Sequence, residues 1–223
     1  MTWSEQIRRE LETALNEAEA LGLRLDRSDG ACELLVTVCA LPAQRAHDPD
    51  PRRVLRLLRP TRIRVLLRED GHGGYGPAIG LRGLDDVESF FASLGRWESM
   101  YGWEFLDRPE RISDWPSQPS LTLDLRPGPS PHCLFWFNEC WQTTGTRYCI
   151  EGTVDFEDLQ ITRADGEAEP LANFTAEGRR WREMLYGRRG NPPQVQTRPA
   201  DAPSWRDNEG GTSFVGDQPG PTP

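Results

Sequence analysis

A pair of β-rich runs separated by a polar turn constrains the fold of this chain more than any other stretch. The runs lie within residues 133–162 and flank the sequence Gln-Thr-Thr-Gly-Thr-Arg at residues 142–147. Glycine and small polar residues in such a position are typical of a β-hairpin turn. Because side chains alternate between the two faces of a strand, the apolar pattern also predicts the register. A turn centred between Thr144 and Gly145 pairs Trp141 with Tyr148.

In this register the hairpin has one apolar face and one mixed face. The apolar face, interrupted by Glu139, consists of Phe135, Phe137, Trp141, Tyr148, Ile150, Val154 and Phe156. The mixed face consists of Leu134, Trp136, Asn138, Cys140, Cys149, Glu151, Thr153 and Asp155. The register makes Cys140 and Cys149 direct cross-strand neighbours. The mixed face is open to interpretation as a binding surface, as a redox pair or as two small buried thiols beneath a covering helix.

Hydrophobic periodicity outside the hairpin predicts three helices and several further strands. The helices span residues 3–21, 85–95 and 171–186, and the strands lie near 31–41, 62–68, 102–107 and 120–126. This order predicts an α+β fold, a mostly antiparallel sheet of about six strands with three helices packed on it. Gly178 lowers the helix propensity of the last helix by about 1 kcal/mol. We therefore expect another backbone to approach closely at Gly178.

The composition changes near residue 187. Residues 187–223 hold seven prolines and six glycines with few apolar residues. Such a segment cannot bury enough apolar surface to offset the entropy lost on ordering. The sequence therefore predicts one α+β domain over residues 1–187 and a disordered tail over 188–223. An isolated aromatic residue in that tail, Trp205, is a candidate docking anchor.

All 26 basic residues of the chain are arginines, and the formal net charge is −9. The absence of lysine excludes Schiff-base enzymes and phosphate-binding-loop nucleotidases that act by their usual routes. Arginine-only usage with abundant glycine, proline and alanine is also typical of GC-rich bacterial coding sequences. An acidic chain is a poor candidate for generic nucleic-acid binding and for docking on anionic membranes.

The arginines are concentrated between residues 45 and 68. This segment holds eight arginines against two acids, which gives it a charge of +6 within a chain of −9. The candidate partner-binding residues are Arg52, Arg53, Arg56, Arg59, Arg62 and Arg64, together with Trp136, Asn138 and Trp205. Because arginine binds carboxylates and phosphates bidentately, we expect an acidic protein partner or a phosphate-bearing ligand. The alternatives are intramolecular pairing with the acidic remainder and an edge strand protected by charge.

No motif of a metal site, a nucleophile or a cofactor occurs in the chain, so we expect no metal and no cofactor. The weak catalytic candidates are Glu139, His132 and Glu151. Glu151 and Asp155 share a strand face, but four strand residues separate them by roughly 13 Å. That spacing is too long for a glycosidase pair of carboxylates.

Five cysteines and the lack of a signal-peptide pattern in the first residues predict a reduced, cytoplasmic protein. We expect a non-enzymatic binding or regulatory protein that acts by protein–protein contact. One alternative is a hydrolase-like enzyme of unrecognised type in which Glu139 or Glu151 acts with His132. Another is a structural subunit docked by its tail.

Overall fold

The computed structural model describes residues 3–44, 48, 50–71, 74–94, 101–106 and 115–187. Its helices are α1 (Glu5–Leu15), α2 (Leu84–Ala92) and α3 (Leu171–Gly187). Its strands are β1 (Glu19–Leu25), β2 (Cys32–Thr37), β3 (Arg52–Leu58), β4 (Arg62–Gly71), β5 (Gly74–Ala78), β6 (Tyr101–Leu106), β7 (Leu121–Asp124), β8 (His132–Trp141), β9 (Arg147–Phe156), β10 (Asp158–Arg163) and β11 (Ala168–Glu169). The predicted tail, with Trp205, lies outside the described residues.

The strands form two antiparallel sheets, which confirms the predicted α+β class. Sheet A has the strand order β1-β2-β3-β10-β11. Sheet B has the order β5-β4-β9-β8-β6, and β7 pairs with the same edge of β4 as β5 does. Sheet A contains strands that the periodicity did not predict, namely β1, β3 and β11, and the second β-rich run is divided into β9 and β10. Among the described residues, no helix is both long and apolar enough to span a bilayer.

One two-stranded ladder runs through both sheets. β3 continues into β4, and β9 continues into β10, with β3 paired to β10 and β4 to β9. At the corner the Thr61 amide donates to the Asp155 carbonyl at 2.8 Å, and the Glu157 amide donates to the Leu58 carbonyl at 3.0 Å. Arg59 takes a left-handed φ of 49° there. A bend of this kind lets a strand leave one sheet and enter another without losing its partner.

The predicted first helix is too long. The helix ends at Leu15, and residues 19–25 form β1 instead of the last helical turns. Glu17 adopts a left-handed φ of 71°, which a helix interior does not allow. The Ala18 amide donates to the Leu15 carbonyl at 2.8 Å and closes the turn. Ala18 and Leu21, predicted on the helix stripe, are nevertheless buried.

The predicted hairpin register is wrong by one residue. The ladder pairs Trp141 with Arg147 and Glu139 with Cys149, so Cys140 and Cys149 are not cross-strand neighbours. The loop has an odd length and is closed by the Gln142 amide, which donates to the Thr146 carbonyl at 3.0 Å. A shift of one residue exchanges the two faces of β8 relative to the prediction.

Contact with glycine explains the observed register. Trp136 lies directly opposite Gly152, and a Cβ on Gly152 would stand 2.4 Å from the Trp136 ring. On the other face, Phe137 covers Gly102 in the same manner. Trp136 and Asn138 are therefore fully buried, and Phe135 and Phe137 lie on the opposite face of the sheet.

Asn138 joins the two sheets. Its Nδ2 donates to the Ala20 carbonyl of β1 at 2.9 Å, and its Oδ1 accepts from the Ala20 amide at 3.4 Å. The Trp103 indole of β6 also donates to the Ala18 carbonyl, at 2.7 Å. These side chains bond the backbone at the start of β1, near the bulge between Ala20 and Gly22. Asn138 therefore has a structural role inside the protein.

The helices cover the interior faces of both sheets. Their buried side chains, including Leu11 and Leu15 of α1, Phe91 of α2 and Phe174 of α3, belong to one apolar cluster with side chains of both sheets. α1 and α3 touch where a Cβ on Gly178 would stand 2.4 Å from the Ala14 Cα. The close approach predicted at Gly178 is confirmed.

Replacing Asn138 by leucine should lower the free energy of unfolding by about 1–3 kcal/mol, because the buried polar groups of Ala20 lose their side-chain partner. Urea denaturation measures the change. The exposed Thr144→Leu substitution in the hairpin loop is the control and should leave stability nearly unchanged. Equal stability of the wild type and Asn138→Leu would contradict the linking role.

Gly178→Ala should destabilise the protein by about 1–3 kcal/mol, since the new methyl group forces α3 away from α1. Helix propensity alone favours alanine, so it predicts the opposite sign. Gly80→Ala serves as the control because no atom lies within 4 Å of a Cβ built there. Thermal or urea unfolding of both variants decides between the two signs.

Candidate functional site

The outer face of sheet B brings charged and aromatic side chains together across three strands. We define this face by the residues that alternate with the core positions of β4, β9 and β8. The members are Arg62, Arg64, Leu66, Arg68, Arg147, Cys149, Glu151, Thr153, Asp155, Cys133, Phe135, Phe137, Glu139 and Trp141. Phe135, Phe137 and Trp141 are half-buried. The corrected register therefore places Glu139 and Glu151 on the same face, although the sequence predicted opposite faces.

Glu139 and Glu151 lie on either side of Cys149. Cys149 is directly opposite Glu139 in the ladder, and its thiol donates to Glu151 Oε1 at 3.7 Å. The Tyr75 hydroxyl donates to Glu139. Burial, followed by the Glu151 carboxylate, raises the pKa of the Cys149 thiol to about 12. The thiol is therefore protonated at neutral pH and acts as a hydrogen-bond donor between the carboxylates, not as a nucleophile.

Both carboxylates are also paired with positive groups. Glu151 accepts from the Arg68 guanidinium and from the Trp115 indole, the latter at 2.8 Å. Glu139 lies 3.5 Å from the Arg147 guanidinium. These contacts fix the positions of the Glu139 and Glu151 side chains on the outer face.

His132 lies away from these carboxylates. Its side chain is on the interior face of sheet B, buried, with its ring stacked on Trp3 at a centroid distance of 3.9 Å. Phe156 packs beside it at 5.5 Å. The structure therefore does not bring His132 together with Glu139 or Glu151, as the hydrolase-like alternative requires.

Most arginines of the predicted block pair with acids of the same chain. The pairs are Arg52 with Asp50, Arg53 with Asp48 and Glu169, Arg56 with Asp26, Asp29 and Glu33, Arg59 with Glu157, and Arg62 with Asp124. Arg52 and Arg53 are buried and so offer no surface to a partner. Intramolecular pairing, the alternative interpretation of the block, is what the structure shows for these five residues.

Arg64 differs from the other described arginines of the block. Its Nε donates to the Thr153 hydroxyl at 3.2 Å, and its guanidinium lies 5.9 Å from the centre of the Trp115 ring. Within the described part of the chain, no carboxylate forms an ion pair with Arg64. The described neighbours of the half-buried Arg64 guanidinium are therefore a hydroxyl group and an aromatic ring.

Arginine–aromatic stacking recurs on and beside the outer face. Arg68 lies 4.4 Å from the Tyr75 ring centre, and Arg147 lies 5.4 Å from the Trp141 ring centre. Tryptophan, tyrosine and arginine are the residues that most often dominate the binding energy of protein interfaces. This composition is typical of a contact surface.

Sequence reasoning missed a second charged cluster, which lies around Arg53. The Arg53 side chain is fully buried and pairs with Asp48 and Glu169. Arg163 contacts the same acids at 3.4 and 3.2 Å. Glu177 of α3 completes this cluster, which we call the Arg53 network. The sequence offered one signal of this cluster, an arginine within the apolar pattern of β3. The partners of that arginine could not be predicted, because they lie up to 116 positions away in sequence.

The surroundings of Glu177 in the Arg53 network disfavour its ionised form. Burial, followed by repulsion from the Glu169 carboxylate, raises the pKa of Glu177 above its ordinary value. Arg163 and Arg53 oppose this shift, and Asp48 adds to it. The ionised form of Glu177 therefore destabilises the folded protein relative to the protonated form.

Comparison with known proteins supplies no family. No protein-family model matches the chain, and no curated protein or solved structure matches it either.

Glu177→Gln should stabilise the protein at neutral pH. The pKa of Glu177 is higher in the folded than in the unfolded state, so the wild type loses stability as pH rises from the ordinary glutamate pKa through the raised one. Glutamine does not titrate, so the variant should have a higher Tm at pH 7 and equal the wild type below about pH 4. Calorimetry over that range measures this, with the exposed Glu183→Gln on α3 as control. A Tm difference independent of pH would contradict the assignment.

Proposed function

We propose that the protein is a non-enzymatic binding or regulatory protein that acts by protein–protein contact. It receives an acidic segment of its partner on the outer face of sheet B. The observation that carries this proposal is Arg64, a half-buried arginine whose guanidinium has an aromatic and a hydroxyl neighbour but no ion pair with a carboxylate among the described residues. The free thiols of all five cysteines fit a reducing, cytoplasmic setting.

The surroundings of Arg64 suit a carboxylate ligand. Arg64, Thr153 and Phe135 form one row across β4, β9 and β8, with Trp115 over the guanidinium. Flanking aromatic groups exclude water and lower the local dielectric, which strengthens a guanidinium–carboxylate pair. A phosphate group would use the same donors, so a phosphorylated segment belongs to the same ligand chemistry.

The rest of the outer face supports contact with a protein. Its half-buried aromatic side chains supply apolar area, and its paired charges supply a polar rim. Glu139 and Glu151 are neutralised by Arg147 and Arg68, so they repel an acidic segment less than free carboxylates would. The partner therefore meets a face whose one unneutralised guanidinium, among the described residues of the arginine block, is Arg64.

Arg64→Ala should weaken binding of an acidic probe at least tenfold, about 1.4 kcal/mol. The probe is a fluorescent decapeptide of alternating glutamate and leucine, measured by anisotropy against its glutamine counterpart and a phosphoserine counterpart. The matched control is Arg82→Ala, since Arg82 is exposed and pairs with Asp86 near α2. Melting curves confirm that both variants are folded.

The proposal predicts that the wild type prefers the glutamate or phosphoserine peptide and that its affinity falls with salt. Equal binding of the glutamate and glutamine peptides would refute it. So would an Arg64→Ala variant that is folded and binds the acidic peptides as the wild type does.

A further inference from the structure

A cleft of about 590 Å³ opens beside the Arg53 network. Its walls are the loop after β2, the turn between β10 and β11, and α3. Its charged lining consists of Asp48, Asp50, Asp165, Glu167, Glu177 and Arg163. A volume of this size lies within the range of small-molecule sites in proteins.

Among the described residues, the Arg53 network contains more negative than positive charge. Three carboxylates, those of Asp48, Glu169 and Glu177, face the two guanidiniums of Arg53 and Arg163. A buried network with one excess charge is costly unless a further group of opposite charge completes it. One bound cation would make the numbers of positive and negative groups equal.

Glu177 is the member of the network that lacks a close partner. Its residue is 8 % exposed, and no described residue donates a hydrogen bond to its Oε2. The guanidinium nitrogens of Arg53 and Arg163 stand 3.8 Å from its carboxylate oxygens, beyond hydrogen-bond length. Glu177 also lines the cleft. A cation bound in the cleft would therefore lie beside a carboxylate that its own network pairs only loosely.

The wall of the cleft is held in place before any ligand arrives. The Leu41 amide donates to the Glu177 carbonyl at 3.2 Å, and Arg180 Nε donates to the Leu41 carbonyl at 2.8 Å. These bonds tie Leu41, in the segment after β2, to α3 beside Glu177. A preorganised wall reduces the entropy that ligand binding must overcome.

We propose that this cleft binds a small organic cation, an alkylguanidinium or alkylammonium group, with the Glu177 carboxylate as its main acceptor. The acidic lining excludes anions. The described residues contain no group of three or more His, Cys, Asp or Glu side chains arranged to hold a metal ion, which favours an organic cation over a metal. Its N–H groups can be directed at Glu177 while its alkyl part lies against Pro42 and Ala43.

Protonation of Glu177 competes with the cation. The groups that face Glu177 are Glu169 of β11, Arg163 of β10, Arg53 of β3 and Asp48 of the loop after β2. Because the pKa of Glu177 is raised, acidification neutralises it before an ordinary glutamate. Affinity for the cation should therefore fall as pH falls through that raised pKa.

Isothermal titration of the full chain with butylguanidinium, butylammonium and the neutral isostere N-butylurea tests the site at pH 7.5. We expect saturable binding of at least one of the two cations and none of the urea. Glu177→Gln should weaken that binding at least tenfold, about 1.4 kcal/mol. Glu183→Gln, on the same helix but exposed, should bind as the wild type does.

Three results would overturn the proposal. They are no saturable binding of either cation, equal binding of a cation and N-butylurea, and unchanged affinity in Glu177→Gln. Glu177→Gln removes the repulsion between Glu177 and the carboxylates of Glu169 and Asp48, so this variant should be at least as stable as the wild type at this pH. A loss of cation binding in Glu177→Gln therefore reports on the site and not on misfolding. The Arg64→Ala variant should bind the cations normally, which separates this site from the outer face of sheet B.

Discussion

The indole of Trp136 lies against Gly152, and this contact decides which side of sheet B is interior. With the ring seated on glycine, Asn138 must also face inward, where it bonds the backbone of β1. The residues of β8 that alternate with them, such as Phe137 and Glu139, must face outward. The carboxylates of Glu139 and Glu151 therefore share the outer face with Arg64. Both the joining of the two sheets and the composition of the candidate contact surface follow from the packing of one aromatic ring.

The strand face on which an arginine lies decides its role. An arginine on an interior face is buried in ion pairs, and an arginine on an outer face can contact another molecule. Arg53 shares its face with Leu55, so it is buried and needs carboxylates brought to it from β11 and from the loop after β2. Arg64 lies beyond the corner in β4, half-buried on the outer face of sheet B. Guanidinium suits both places, because it stays charged when buried and stacks on aromatic rings when exposed. A chain without lysine can therefore use one cation type for internal pairing and for recognition.

The sequence predicted those features that depend on neighbouring residues. The helices α2 and α3, the hairpin location and the close approach at Gly178 follow from local periodicity and from glycine placement. The register did not, because it depends on whether the loop has an odd or even number of residues and on a tryptophan–glycine contact across the ladder. β3 was missed because arginines interrupt its apolar pattern, and those arginines are tolerated only through acids far away in sequence. Pairing of Arg53 with Glu169 spans 116 positions, which no local pattern reports.

The ladder that bends through both sheets also has a consequence for synthesis of the chain. β9 and β10 supply the partners of β4 and β3, roughly a hundred residues after those strands have been made. Until the ribosome has released residue 163, an edge of each sheet remains unpaired. Contacts of such long sequence separation are slow to form, and open strand edges are prone to aggregate. Because β9 and β10 cross the corner together, their synthesis supplies the missing strand of each sheet at the same late stage.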